Sequence, residues 1–106
     1  MLLFKDGVKI VGLQPQMLLA LQVVEESFTK YPLDTIVTSG SDGQHMPSSL
    51  HYKGLALDFR THHAAGVMGG LFQMINNILH PLGFDCIWES AGKPEEHLHV
   101  EYQPKG

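Results

Sequence analysis

Two short stretches of this chain hold side chains whose types and spacing could do chemistry. The first is Ser49-Leu-His51-Tyr-Lys-Gly54-Leu-Ala56-Leu-Asp58 and the second is Glu95-Glu96-His97-Leu-His99-Val-Glu101. An imidazole and a carboxylate seven positions apart cannot share one ion from a continuous strand, because at ~3.3 Å per residue they would lie more than about 20 Å apart. Gly54 between them permits a sharp reversal, after which His51 folds back over the face that carries Asp58. Ala56, on that same face, is small enough to leave room. A carboxylate buried there needs a cation or a cluster of donors beside it.

In the second stretch strand parity puts His97, His99 and Glu101 on one face and Leu98, Val100 and Tyr102 on the other. His51, Asp58 and one of these two imidazoles make the two-histidine, one-carboxylate set that suits zinc with a position left open for water. Zinc lowers the pKa of such a water toward ~7, and a neighbouring carboxylate can take its proton and pass it to a leaving amine.

The elements that must position these groups are readable from periodicity. Leu2 to Val11 is expected to be a β-hairpin turning at Asp6-Gly7. A helix is expected over Gln14 to Lys30, with Pro15 at its first position and Met17, Leu18, Leu21, Val24, Glu25 and Phe28 on the inner face. Tyr31-Pro32 stops it. Thr35 to Thr38 is a β-branched strand running into the polar loop Ser39 to Gly43, and Leu50 to Tyr52 is a turn. In a second strand, Gly54 to Arg60, Leu55, Leu57 and Phe59 face opposite to Ala56, Asp58 and Arg60. A second helix is expected over Ala64 to Leu82, its glycines at 66, 69 and 70 permitting close approach to the sheet. Strands at Phe84 to Trp88 and His97 to Tyr102 flank the loop Glu89 to Glu96. The sum is an α+β fold: a single domain spanning residues 1–106, with a largely antiparallel sheet packed against two main helices and a metal site on the sheet's open face.

Composition narrows the classes of function. The 106 residues suit one domain, and with 43% of them hydrophobic a core can form without disulfides. The single cysteine, Cys86, sits among Phe84, Ile87 and Trp88 and reads as a buried apolar thiol. The net charge is −4 and the seven Lys and Arg residues are scattered, which disfavours nucleic acid as a partner. The N-terminal residues break into charge and a turn at once, so neither a signal peptide nor a membrane span is expected, and synthesis in the cytoplasm is.

The pattern Ser-x-His-x-x-Gly-x-Ala-x-Asp at 49–58, followed by Glu-x-x-His at 96–99, resembles the zinc peptidases that cut peptidoglycan stem peptides, the D-Ala-D-Ala carboxypeptidase and L-alanyl-D-glutamate endopeptidase family. Thr38-Ser39-Gly40 resembles the strand end that precedes the first motif, and Val100-Glu101-Tyr102 resembles the family's ending, so the likeness runs over roughly residues 35 to 102. The resemblance implies that His51, Asp58 and His99 bind one Zn²⁺ and that Glu96 is the catalytic base. It implies a peptidoglycan peptide as substrate, with no nucleic-acid or membrane partner, and a monomer acting on the bacterial cell wall. By analogy with phage-type enzymes, a holin or a virion would deliver it there.

Where the family carries an arginine after Ser-Gly, this chain has Ser41 and Asp42. His45, Arg60 or His97 is expected to supply the missing donor, with Ser49 as a further substrate contact. The His-x-His at 97 and 99 is closer to lysostaphin-type peptidases and the hedgehog signalling domain, where the first histidine stands beside the reacting centre. That makes His97 a catalytic helper rather than a ligand. Glu95 is read as solvated, His62 and His63 as surface residues, and His80 as a helix-end cation. Arg60 could instead pair with Glu101 across strands, and Trp88 and Tyr102 read as core or cleft wall. The rival readings are a zinc-bearing binding domain without activity and a metal-free phage structural protein.

Overall fold

The computed structural model describes residues 1–42 and 49–104. Strand β1 (Leu2–Phe4) is followed by helix α1 (Gln16–Thr29), strands β2 (Thr35–Ser39) and β3 (Ala56–Arg60), helix α2 (Met68–Leu79), and strands β4 (Phe84–Glu89) and β5 (His97–Tyr102). Single 3₁₀ turns at His62–Ala64 and His80–Leu82 bracket α2. The five strands form one sheet in the order β1-β2-β3-β5-β4. Only the β1–β2 pairing is parallel; β2–β3, β3–β5 and β4–β5 are antiparallel. The α+β reading with a largely antiparallel sheet and two main helices is the observed architecture. None of the helices among the described residues is long and apolar enough to cross a membrane.

The core lies between one face of the sheet and the two helices. Leu57, Phe59, Leu98 and Val100 from β3 and β5 are fully buried against Met17, Val24 and Phe28 of α1 and Leu71, Ile75 and Leu79 of α2. Leu18, expected on the inner face of α1, is exposed, while Ala20 and Val23 are buried in its place. The helix is rotated so that the 17-20-21-24-28 stripe meets the sheet, and Leu18 falls outside that stripe. The glycines of α2 do not serve helix-to-sheet approach. A Cβ at Gly69 would meet open space, and one at Gly70 would lie 3.0 Å from the Tyr31 hydroxyl at the end of α1.

The expected N-terminal hairpin is absent. The Asp6-Gly7 turn forms, but β1 pairs with β2, with Leu2 opposite Thr35 and Phe4 opposite Val37. Residues 8–14 then run as an irregular strap. The Lys9 carbonyl accepts from Ser41 N–H (2.8 Å), Lys9 N–H donates to Asp42 Oδ1 (2.9 Å), and Gln14 N–H donates to the Gly54 carbonyl (2.9 Å). Gly54 has φ +72°, and any Cβ there would collide with the Gly12 backbone; one at Gly40 would collide with Lys9. The strap therefore clamps both ends of the loop that carries His51, and glycine is required where it crosses. An apolar stretch after a turn signal reads as a returning strand; β2 wins the edge of β1 by a non-local pairing that local pattern does not reveal.

Candidate metal centre

The register of the central strands builds the site. Asp58 stands directly opposite His99, Ala56 opposite Glu101 and Arg60 opposite His97 on β3 and β5. On the far side of β5, Asp85, Ile87 and Glu89 of β4 stand opposite Glu101, His99 and His97. Alternation turns this whole grid to the open face while Leu57, Phe59, Leu98 and Val100 face the core. His51 arrives from the turn over residues 49–54. That turn is closed by hydrogen bonds from Tyr52 N–H to the Ser49 carbonyl, Gly54 N–H to the His51 carbonyl and Leu55 N–H to the Leu50 carbonyl. Ser49 Oγ accepts from His51 N–H (3.2 Å). The ring of His51 is buried, with its centroid 5.1 Å from that of His99.

His51, Asp58 and His99 each offer a ligand atom, and these atoms all lie within 4.8 Å of one another. Asp58 Oδ1 is 3.3 Å from His51 Nε2 and 2.9 Å from His99 Nδ1. The outer nitrogen of each ring is already committed. His51 Nδ1–H donates to the Gly40 carbonyl (2.9 Å), and His99 Nε2–H donates to Glu101 Oε1 (2.7 Å). The inner nitrogens, Nε2 of His51 and Nδ1 of His99, are thereby aimed at Asp58. Outer partners of this kind fix tautomer and ring orientation in metal-ligating histidines. Glu101 is held in turn. The Gln103 amide, with its nitrogen turned toward the carboxylates, bridges Glu101 (2.5 Å) and Asp85 (3.3 Å).

The electrostatics agree with a cation-binding cluster. Burial pushes the Asp58 carboxyl up, but hydrogen bonds from His51 and His99, with the charges of His51 and His97, reverse this and hold it well below the usual carboxylate range. Burial works against the charge on His99 too, yet its hydrogen bonds to Asp58 and Glu101 push its pKa up to about 9. In the metal-free protein a proton therefore sits between His99 and Asp58, where a divalent ion would replace it. Two nitrogens and one carboxylate oxygen fit a divalent metal with a coordination position to spare.

His97 lies beside this group. Its Nδ1–H donates to the Glu95 carbonyl (2.9 Å), and its Nε2 is 3.8 Å from Asp58 Oδ1 and 3.4 Å from Glu89 Oε2. Glu89 escapes a sequence reading that ends the strand at Trp88; β4 runs one residue further and brings it to the open face. A cleft of about 770 Å³, lined by Ser49, His51, Asp58, Glu89, His99 and Glu101 among others, opens over the centre. A second, of about 430 Å³, adjoins it at Asp58 and His97 and holds Glu96, Arg60, Thr38 and Lys5.

Glu96 is thus in the smaller cleft. Its Oε1 accepts from Gly92 N–H (2.7 Å). Hydrogen bonding from the Thr61 side chain, the Gly92 amide and, more weakly, Trp88 holds its pKa below the ordinary carboxylate value, so it is ionised. Thr61 Oγ1 and Trp88 Nε1 are buried and make no hydrogen bond of ordinary geometry, so their influence on Glu96 acts at longer range.

Arg60 stands opposite His97, not Glu101, so the alternative cross-strand pair with Glu101 does not form. His45 lies outside the described residues. His62 and His63 are not idle surface groups: their Nε2–H groups donate to the Pro94 carbonyl (2.9 Å) and the Asp34 carbonyl (2.7 Å). Trp88 and Tyr102 pack on the core as expected. Cys86 is half-buried, and burial with the nearby Asp85 charge pushes its thiol up to about 12. No protein-family model and no curated protein matched this chain.

Proposed function

We propose that this protein is a zinc-dependent peptidase that hydrolyses an amide bond in peptidoglycan stem peptides. The observation that carries the reading is the convergence of His51 Nε2, Asp58 and His99 Nδ1, each ring oriented from behind, at the floor of an open cleft. Its support from sequence is the pair of motifs that contain these same three residues. Zinc is favoured among divalent metals because the donors are few and mix imidazole with carboxylate.

A zinc ion held there supplies a Lewis acid that polarises a carbonyl and acidifies water. The remaining work falls to side chains. Gly40 and Glu101 keep the two imidazoles in one tautomer and one orientation. Glu96, ionised and in the adjoining cleft, accepts the proton of the attacking water and returns it to the departing amine. His97, anchored by the Glu95 carbonyl, turns Nε2 to the space between Asp58 and Glu89, where it can donate to a developing oxyanion when both ring nitrogens carry protons.

The test is mass spectrometry of muropeptides after incubation of purified peptidoglycan with the zinc-loaded protein. New peptide termini are expected, lost on chelation and restored by zinc. Glu96→Ala is expected to keep its metal and lose roughly 10²–10⁴ in rate; unchanged hydrolysis would refute the base. One observation favours a second reading, a zinc-bearing binding domain. Asp42, in the segment where the family carries arginine, spends its carboxylate on Lys9 N–H and Gly40 N–H and so offers no cation to a substrate. Stoichiometric zinc without any new amine would select that reading.

A further inference from the structure

The two clefts that meet at Asp58 and His97 differ in charge. The larger one presents the carboxylates of Glu89 and Glu101 against a single cation, Lys53. The smaller one presents Lys5 and Arg60, with the Thr38 side chain between their strands. Lys5 continues the β1–β2 ladder through its N–H bond to the Val37 carbonyl (2.9 Å), which sets it beside Thr38 at the open face. Neither cation takes part in a salt bridge among the described residues. Two of the smaller cleft's carboxylates are already engaged: Asp58 with the imidazoles, and Glu96 with Gly92 N–H. Glu95 is exposed.

We infer that the smaller cleft is a carboxylate subsite in which Arg60 and Lys5 grip the C-terminal carboxylate of a peptide lying across the metal centre. This rests on the peptidase reading and adds a direction: the chain runs from its N-terminal side in the larger, acidic cleft to its C-terminus in the smaller, basic one. The distances suit a short leaving group. Arg60 is two positions beyond Asp58 on β3, about 7 Å along the strand. Each peptide residue spans about 3.5 Å. A carboxylate one or two residues past the scissile amide therefore falls within reach of the guanidinium fork and the ammonium group. Glu96 lies in the same cleft, on the side from which the new amine departs. The arrangement is that of a carboxypeptidase.

Binding can be read separately from turnover. The probe is the ketomethylene isostere of N-acetyl-D-alanyl-D-alanine, which cannot be hydrolysed, compared with the same compound ending in an amide. Calorimetry on the zinc-loaded protein is expected to show the acid bound about tenfold or more tightly than the amide, with amide-resonance shifts at Lys5, Thr38 and Arg60. In the Lys5→Gln/Arg60→Gln double variant, whose zinc content checks that the fold and centre persist, the preference is expected to vanish while affinity for the amide stays the same. Equal binding of acid and amide to the unaltered protein, a preference that survives in the double variant, or no binding of either compound at millimolar concentration would each overturn the subsite. An amide-ended analogue with a side-chain carboxylate in the last residue separates the two sources of the charge; equal affinity for it would overturn the assignment to the C-terminus. Hydrolysis of muropeptides without acid preference would sink the subsite and leave the peptidase standing. Acid preference without hydrolysis would do the reverse.

Discussion

The two faces of β3 and β5 are built from alternate residues of the same ten or so positions, and they obey opposite rules. On the helix-covered face, Leu57, Phe59, Leu98 and Val100 are fully buried and make only apolar contacts. On the open face, Asp58, His99 and Glu101 are linked by hydrogen bonds of 2.7–2.9 Å and lie under a cleft. Stability and chemistry are thus separated by one strand thickness. A substitution on one face should act on folding, and its sequence neighbour on the other should act on metal.

The largest expected effect lies on the apolar face. Phe59→Ala should destabilise the fold by about 3–5 kcal/mol, as a deleted aromatic in a close-packed core does; denaturant unfolding measures it. Its neighbour Asp58→Asn keeps the size of the side chain and removes the shared anionic ligand. Zinc affinity should fall by roughly a hundredfold or more while the secondary structure persists, as calorimetry and circular dichroism can show. Comparable losses of stability from both substitutions would break the separation of the faces.

A smaller effect is expected one step out from the ligands. Glu101→Gln weakens the acceptor behind His99, and a loss of about 10–100-fold in zinc affinity should follow, in the range seen for outer partners of metal-bound histidines. Removal of a residue with no metal role, such as Glu25, provides the reference.

pH sharpens the comparison because it touches only the open face. The His99 pKa is raised from 6.5 to about 9, so its contribution to the metal-free fold is fully present below about 6.5 and is lost as pH rises through about 9. Asp58 is shifted down from 3.8, so its contribution is present above that value and is lost as pH falls below it. The metal-free protein should be most stable between about pH 4 and 6.5. Zinc competes with the His99 proton, so its affinity should rise about tenfold per pH unit as pH approaches 9, with release of about one proton on binding near neutrality. Thermal denaturation with and without zinc across pH 5–9 checks both trends; zinc stabilisation that shrinks toward pH 9 would contradict them. The smallest effect should come from Gly69→Ala. Its Cβ points to open space in a helix, so a gain of about 0.5–1 kcal/mol is expected with zinc binding unchanged.

How much of this could be read in advance differs between elements. The parity of β5 was legible because Leu98, Val100 and Tyr102 alternate with His97, His99 and Glu101, and a period of two admits one arrangement on a half-covered sheet. The same holds for Leu57 and Phe59 against Asp58. The site's supports were not legible. Gly40 offers only a backbone carbonyl, and Glu89 sits at a strand end, where pattern is weakest. Val8 and Ile10 after Asp6-Gly7 carry a hairpin signal that the strap does not honour. Leu18 matches the helical period as well as Ala20 does, and only the direction of the sheet tells them apart.

By itself the amino-acid sequence determined which side chains could bind a metal and which face of each strand they share, because alternation and residue chemistry are local properties. Tertiary structure decided that His51 meets His99 across Asp58, that a strap closes the loop behind His51, and that Lys5 at one edge joins Arg60 near the centre. Those outcomes depend on strand order and register, which are set by burial of the whole apolar face rather than by any segment alone.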